Sequence, residues 1–234
     1  KIESELKSEI QPYLYLTGLQ MLIMQQKPYE FLLKIEQLRF QIRWNQTPRV
    51  PQTSVLGHCF YVAIMTLLLG RESNLGMCEN RVVNNYFSAL FHDLPESVTR
   101  DIISPVKRSV EGLDLLIKHI EERQVAEKIL PLLPYGWHQD ILYFTQNEFA
   151  DKVIVDGKEV ECTFEDLNGK YNCNGFKAVD GKMLKGCDNL AAFVEAWLSR
   201  RYGITSKHLE DAERGLREQY KDKTVGGIDF GTIY

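Results

Sequence analysis

A cluster of charged side chains set into apolar sequence constrains this chain more than any other feature. Three carboxylic acids and one histidine fall within ten positions: His92, Asp93, Glu96 and Asp101. Apolar residues, including Phe91 and Leu94, lie directly beside them, and an apolar stripe at helical spacing runs up to His92. Buried carboxylates without partners cost several kcal/mol each. The fold must therefore bring compensating cations or a metal ion to this segment.

Helical periodicity dominates the sequence on both sides of the cluster. Apolar side chains recur every three or four residues at about 31–43, 58–70, 82–91, 113–130, 184–203 and 209–220. The first of these helices is predicted to end near Arg43, and Pro95 suits the first turn of a short helix after the cluster. This pattern predicts an all-α fold with one helical domain over residues 1–222.

One segment, residues 153–183, departs from the helical pattern. Apolar and polar residues alternate there around Asp156-Gly157, which is a hairpin signal because glycine accepts a positive φ at the second turn position. Asn174-Gly175 and Asp180-Gly181 predict further turns. We expect a small β-rich insertion in the helical domain. Residues 223–234 show no period and are predicted to form a loose C-terminal tail.

The charge and the apolar runs argue against nucleic acid and membrane as partners. Lys and Arg total 28 against 32 Asp and Glu, for a net charge of −4, whereas proteins that bind phosphate backbones usually carry a basic surplus. The longest apolar stretch, 59–69, is about half of the ~20 residues that span a bilayer. The charged first residues lack an apolar signal segment, and the five cysteines show no C-x-x-C spacing. These features favour a cytoplasmic protein with reduced thiols.

Two distant residues can complete a metal site with His92 and Asp93. His58 begins an otherwise apolar helix, and Asp188 lies inside a helical stripe beside Leu190. Taken singly, each has a simpler explanation, as a helix-start histidine and as a solvated acid. Taken together, they form the pattern H…HD…D, which resembles the HD-domain metal-dependent phosphohydrolases. The resemblance implies a helical bundle in which these residues bind a divalent cation.

Within that superfamily the chain looks most like the bacterial HD-domain 5′-deoxynucleotidases. Arg43-Trp44 precedes His58, as an Arg-Trp pair does in those enzymes. The segment HDLPESVTRDIISPVK resembles their H-D-x-x-E-x-x-T-x-D-x-x-x-P-V-K, and LKGCDNLAAFVEA is similar to their last Asp helix. The resemblance covers about residues 30–130 and 183–220. It departs at Gly57, where relatives often carry glutamate, and at Cys187, where they carry alanine.

The resemblance implies one divalent ion held by a shared ligand set: His58, His92, Asp93 and Asp188. Two imidazoles and two carboxylates without a thiolate suit Mn²⁺, Co²⁺, Fe²⁺, Zn²⁺ or Mg²⁺, and the sequence does not choose among them. Glu96 and Asp101 are the expected catalytic acids, with Glu96 placed to take a proton from the attacking water.

Three residues are expected to bind the substrate. Arg43 offers a planar fork of donors to phosphate oxygens. Trp44 is predicted to lie against the sugar, and Lys107 to add positive charge at the pocket edge. The expected substrate is a small-molecule nucleotide, a (deoxy)nucleoside 5′-monophosphate, and the resemblance implies a possible homodimer.

Two other functions remain open on the sequence. One is an HD enzyme that cleaves nucleoside di- or triphosphates or an alarmone; the other is a non-catalytic nucleotide- or metal-sensing module. Alarmone hydrolases resemble H-D-x-x-E-D, and Ser97 replaces the last Asp of that motif here. Retention of the metal ligands and of Glu96 argues against the sensing module, so a phosphomonoesterase is the first expectation.

Overall fold

The computed structural model describes residues 26–100, 102, 106 and 110–234. Asp101 and Lys107 lie outside the described residues. Helices make up most of what is described: α1 (Gln26–Phe40), α2 (Val55–Glu72), α3 (Glu79–Phe91), α4 (Glu96–Thr99), α5 (Leu113–Gln124), α6 (His138–Thr145), α7 (Phe164–Asn168), α8 (Gly181–Arg201) and α9 (Lys207–Tyr220). A π-helical turn (Val125–Ile129) and two 3₁₀ turns (Leu130–Leu132 and Tyr135–Trp137) connect α5 to α6. The predicted all-α fold class is confirmed.

Helix α2 lies at the centre of the packing and places His58 in its first turn. The Ser54 hydroxyl accepts a hydrogen bond from the Gly57 backbone N–H at 3.1 Å and so caps the helix. By length and composition alone α2 could cross a membrane, with 18 residues and a mean hydropathy of 1.3. Its buried face packs against α3 and α8 and includes His58, which is typical of a core helix.

Helix α8 supplies the opposite wall of this core. Its buried apolar residues pack against α2, α3 and the C-terminal segment, among them Met183, Leu184, Cys187, Leu190 and Ala191. The helix begins at Gly181, where a Cβ would overlap the Ala150 carbonyl oxygen. The predicted turn at Asp180-Gly181 is therefore wrong. Asp180 instead ends a strand, because its fully buried carboxylate accepts two hydrogen bonds from Arg81, at 2.6 and 2.8 Å.

The loop between α1 and α2 begins earlier than predicted. Helix α1 ends at Phe40 because the chain turns to pair with the segment before α2: Ile42 forms an antiparallel bridge with Ser54, and the Arg43 N–H donates to the Thr53 carbonyl at 2.9 Å. Trp44 has a positive φ of 58°. Arg43 and Trp44 thus lie in a loop that faces α8, and not at a helix end.

The β-rich segment contains a three-stranded antiparallel sheet in the order β2-β1-β3, formed by β1 (Asp151–Val155), β2 (Lys158–Glu161) and β3 (Val179–Asp180). Asp156 and Gly157 turn the hairpin with φ of 49° and 76°, as predicted. The sheet begins at Asp151, slightly before the predicted boundary, and α7 occupies part of the segment. The Asn172 side chain accepts the Cys78 N–H at 2.9 Å, which joins this segment to the start of α3.

The C-terminal segment packs on the core, and the expectation of a loose tail is wrong. Strands β4 (Thr224–Val225) and β5 (Ile228–Asp229) pair, and a 3₁₀ turn (Phe230–Thr232) follows. Phe230 is fully buried against Gly186, and the Tyr234 ring stacks on Tyr220 with centroids 4.6 Å apart. Two-residue strands and one short turn are too brief to produce a periodic sequence pattern, so periodicity could not reveal them.

Candidate metal centre

Side chains from three helices meet at one buried point. His58 comes from α2, His92 and Asp93 follow the end of α3, and Asp188 comes from α8. Nε2 of His58 lies 3.0 Å from Asp188 Oδ1 and 3.9 Å from Asp93 Oδ2. Nε2 of His92 lies 3.2 Å from Asp93 Oδ2 and 3.9 Å from Asp188 Oδ1. The structure brings together all four predicted ligands, although 130 positions separate His58 from Asp188.

The backbone of α3 orients the imidazole of His92. His92 keeps helical dihedral angles after the last residue of α3, with φ −56° and ψ −37°. Its Nδ1 lies 2.7 Å from the Ala89 carbonyl oxygen, which only accepts hydrogen bonds. The proton of a neutral ring therefore sits on Nδ1. The lone pair of Nε2 then points to the centre, as in a metal-bound histidine.

The spacing of the four atoms suits a single divalent ion. Metal–ligand bonds of about 2.0–2.2 Å place adjacent ligands of an octahedral ion about 3 Å apart and opposite ones about 4 Å apart. The four contacts between imidazole and carboxylate atoms run from 3.0 to 3.9 Å. His92 Nε2 and Asp93 Oδ2 are also buried without a hydrogen-bond partner among the described residues. A cation between them would satisfy both, so the residues fit the implied metal.

Nearby positive charge keeps both carboxylates ionised. Burial raises the pKa of Asp93, but His92, His58 and Arg43 lower it by more, so that the net shift is well below its usual range. Burial also raises the pKa of Asp188, and Lys185 together with the two histidines more than reverses that effect. Both aspartates are therefore charged at neutral pH, as metal ligands must be.

Cys59 lies close to the centre, which the sequence did not indicate. Its sulfur and the ligand atoms of His92 and Asp93 all lie within 4.8 Å of one another. Burial raises the pKa of this thiol. A thiol binds metal as the thiolate, so the protonated Cys59 is a poor ligand, and the imidazole–carboxylate set remains the better candidate.

Two cations flank the carboxylates. The Arg43 Nη1 lies 3.6 Å from Asp93 Oδ2, and the Lys185 ammonium donates to Asp188 Oδ2 at 2.8 Å. Burial lowers the pKa of Arg43, but the carboxylates of Glu195 and Asp93 raise it by more. The Arg43 side chain is 17% exposed and that of Lys185 44% exposed. Both can therefore be reached by an anion from solvent.

Glu195, like Cys59 and Lys185, is a residue of this site that sequence reasoning missed. It lies on α8, two turns after Asp188, so it faces the same side of the helix. Oε1 lies 3.5 Å from His58 Nδ1, and Oε2 accepts the Trp44 indole N–H at 2.8 Å. Burial raises the pKa of Glu195, but His58, Arg43 and a further arginine lower it to about 2. An acid inside the apolar run AAFVEAW was the available signal.

Glu96 lies in the turn that follows Asp93. Glu96 begins α4, is 5% exposed, and its backbone carbonyl accepts the Gln41 side-chain N–H at 2.8 Å. Its charge also contributes to the raised pKa of Arg43, after the larger effects already described. Asp101 and Lys107 lie outside the described residues, so their roles stay predictions.

Comparisons with known proteins agree with this fold. The family described as HD domain matches residues 35–216, which include every residue that meets at the centre. A solved structure of an HD-domain phosphohydrolase from Listeria innocua superposes with a TM-score of 0.61 at 15% identity. The match covers 88% of this chain and 85% of that chain. No curated protein matches this sequence. The predicted HD-domain helical fold is confirmed.

Proposed function

Since this chain belongs to the HD-domain family, we propose that it is a metal-dependent phosphohydrolase that releases phosphate from nucleoside 5′-monophosphates, preferentially deoxy ones. The main support is the centre itself, where two imidazoles and two carboxylates face one another across 3.0–3.9 Å. Two cations, Arg43 and Lys185, stand beside it. A site of this composition suits a phosphate group and a divalent ion together.

His58, His92, Asp93 and Asp188 hold the ion in this proposal. When bound, a divalent ion polarises the phosphoryl group and makes a water molecule more acidic. The ligand set contributes two negative charges, so one divalent ion leaves the four-residue centre neutral. The excess positive charge that attracts a phosphate dianion then comes from Arg43 and Lys185.

Arg43 and Lys185 bind the phosphate. Each now contacts a carboxylate, Asp93 or Asp188, at the face of the centre. Arg43 contacts Asp93 Oδ2, an oxygen that would bind the ion, so ion binding would free the guanidinium for a phosphate. Lys185 contacts Asp188 Oδ2, which does not face the histidines, and its 44% exposed side chain can be reached by a phosphate from solvent. The planar guanidinium of Arg43 can donate two parallel hydrogen bonds to two phosphate oxygens, and Lys185 acts as a point charge.

Glu96 takes the proton. The oxygen of a water molecule attacks phosphorus, and the bond from phosphorus to the 5′ oxygen breaks. Glu96 accepts a proton from that water, and the released nucleoside takes up a proton at its 5′ oxygen. Glu96 is buried and lies in the turn directly after Asp93, which supports the first of these transfers.

Trp44 supports the preference for deoxyribose. It follows Arg43 in the loop, so a sugar attached to the gripped phosphate comes close to its ring. The single donor of the indole is already bound to Glu195, and the ring has no acceptor. A ribose 2′-hydroxyl against this ring would be left without a partner. Such a group costs roughly 1–3 kcal/mol, or about ten- to hundredfold in kcat/KM.

Phosphate release from a panel of nucleotides tests this function. The metal-stripped chain is supplied with Mn²⁺, Co²⁺, Zn²⁺ or Mg²⁺ and then with mono-, di- and triphosphates of ribo- and deoxyribonucleosides. We expect activity on monophosphates that disappears in chelator and in Asp188→Asn. The matched control is His119→Asn, an exposed histidine of α5 that pairs with Glu122 and does not belong to the centre. Pyrophosphate or triphosphate release would instead support the di- or triphosphate hydrolase, and no hydrolysis with any ion would support a sensing module.

A further inference from the structure

The Nδ1 atom of His58 has one candidate partner. His58 is fully buried, and its Nδ1 lies 3.5 Å from Glu195 Oε1. Neither atom has another hydrogen-bond partner among the described residues. The preceding residue, Gly57, has no side chain to offer. The other ring nitrogen, Nε2, lies 3.0 Å from Asp188 Oδ1, so Glu195 is the described group that can hold a proton on Nδ1.

The proton position on His58 decides whether the ring can bind an ion. Its Nε2 faces Asp188 Oδ1 and Asp93 Oδ2, the side on which an ion would sit. Only a ring with its proton on Nδ1 presents a lone pair there. A carboxylate beside Nδ1 accepts hydrogen bonds and cannot donate one when ionised, so it favours this tautomer.

The other oxygen of Glu195 accepts one hydrogen bond and faces two guanidinium groups. The Trp44 indole N–H lies at 2.8 Å, Arg43 Nε at 3.5 Å and Arg49 Nη1 at 3.8 Å from Oε2. All of them belong to the loop between α1 and α2. Because these groups donate and cannot accept, they fix which oxygen of Glu195 faces His58 and how far it reaches.

We propose that Glu195 is a positioning residue, which keeps the proton of His58 on Nδ1 and thereby sets how tightly the centre binds its ion. Trp44 and the two arginines orient Glu195 for this role. The loop that carries the proposed phosphate ligand Arg43 is thus connected to the ion site through one carboxylate. The inference shares the ion site with the proposed function but concerns binding alone, so it stands even if the substrate is different.

Glu195→Gln tests the role because glutamine cannot serve both sides. An amide nitrogen next to Trp44 and the arginines would place donor against donor, so the amide oxygen turns to that side. The amide N–H₂ then faces His58 Nδ1, which must accept, and the ring proton moves to Nε2. That tautomer has no lone pair for the ion. Loss of such a histidine partner typically lowers metal affinity about 10–100-fold.

The experiment measures Mn²⁺ and Zn²⁺ binding to the metal-stripped protein by titration calorimetry, with no substrate present. Long-range ¹H–¹⁵N spectra of the imidazoles report the tautomer without any ion. We expect Glu195→Gln to bind both ions about 10–100-fold more weakly and to remove the proton from Nδ1 of one ring, which then carries its proton on Nε2. The matched control is Glu213→Gln, a largely buried glutamate of α9 that pairs with Arg200 of α8 and Arg217 of α9, and for which no contact with the centre is found among the described residues.

A second variant keeps the test decisive if Glu195→Gln is unstable in chelator. Glu195→Asp keeps the negative charge beside Arg43 and Arg49. Because its side chain is one methylene shorter, its carboxylate lies farther from His58. We expect it to weaken ion binding in the same direction, with an unchanged fold. Wild-type ion affinity in a folded Glu195→Gln or Glu195→Asp, or an unchanged His58 tautomer in Glu195→Gln, would overturn the proposal.

Discussion

The indole N–H of Trp44 donates a hydrogen bond to Glu195 Oε2 at 2.8 Å, across 151 positions of sequence. Glu195 in turn faces His58 through its other oxygen. The loop after α1 is therefore joined to the candidate metal centre through a defined chain of side chains. This arrangement separates the roles of the residues around the centre, and each role predicts a different measurable consequence.

Removal of the ion is expected to destabilise the protein. The ligands of the centre are buried or largely buried, and Asp93 Oδ2 has no hydrogen-bond partner among the described residues. An ion that binds only the folded state adds about 2.7 kcal/mol of stability at 100 times its Kd. We expect chelator to lower the Tm of the wild type and to leave that of Asp188→Asn unchanged, as measured by calorimetry. An equal chelator effect in both proteins would place the ion elsewhere.

Glu96→Gln is expected to abolish turnover and to retain the ion. Glutamine has nearly the same shape but cannot take a proton from water at neutral pH. Loss of a positioned acid–base group typically slows a reaction roughly 10²–10⁴-fold. Phosphate release measures the rate, and titration with Mn²⁺ measures the ion. A wild-type rate would make Glu96 a bystander and would move the proton transfer to Asp101.

The sequence predicted the metal ligands of the centre better than the residues that contact and orient those ligands. Histidine and aspartate are typical metal ligands, so a pair such as His92 and Asp93 can be recognised from the sequence when apolar helical segments flank it. Glu195 was not singled out because its partners, His58 and Trp44, come from distant parts of the chain. A lone acid in a helix is normally solvated, and only the packing of α8 against α2 shows that this one is buried.

The sequence predicted the fold well in segments with a long apolar stripe at helical spacing. It predicted the fold poorly in segments whose structure depends on contacts with residues far away in the sequence. Helices α2, α3, α8 and α9 follow their apolar stripes closely. At the start of α8 the Asp-Gly pair predicts a turn, whereas a buried ion pair with Arg81 holds Asp180 in a strand. The C-terminal segment was misjudged because its order comes from aromatic contacts with α8 and α9.

Phe230→Ala is expected to destabilise the protein strongly, which a loose tail would not allow. Phe230 is fully buried, and its ring lies against Gly186, close to Asp188 on the same helix. Truncation of a buried phenylalanine typically costs about 3–5 kcal/mol. Urea denaturation measures the loss. The matched control is Ile233→Ala, a 40% exposed residue of the same segment, for which we expect a small change. Equal small losses in both variants would contradict the packed tail.

Substitutions of Trp44 are expected to separate its two roles, since the ring can exclude a 2′-hydroxyl while its N–H holds Glu195. Trp44→Phe keeps an aromatic ring but removes the N–H, so Glu195 loses its one close donor at 2.8 Å. We expect ion binding to weaken less than in Glu195→Gln, because Arg43 and Arg49 still face the carboxylate. The preference for dAMP over AMP should remain, since a ring still lies beside the sugar.

Trp44→Ala removes both the N–H and the ring, and the two variants together give a clear test. We expect Trp44→Ala to lose the roughly ten- to hundredfold preference for dAMP over AMP and to bind the ion as weakly as Trp44→Phe. The measurements are kcat/KM for dAMP, AMP and dATP, and the Kd for Mn²⁺ without substrate. If wild type hydrolyses dAMP and AMP equally, the ring does not select the sugar. If Trp44→Phe binds the ion as wild type does, the arginines alone hold Glu195 in place.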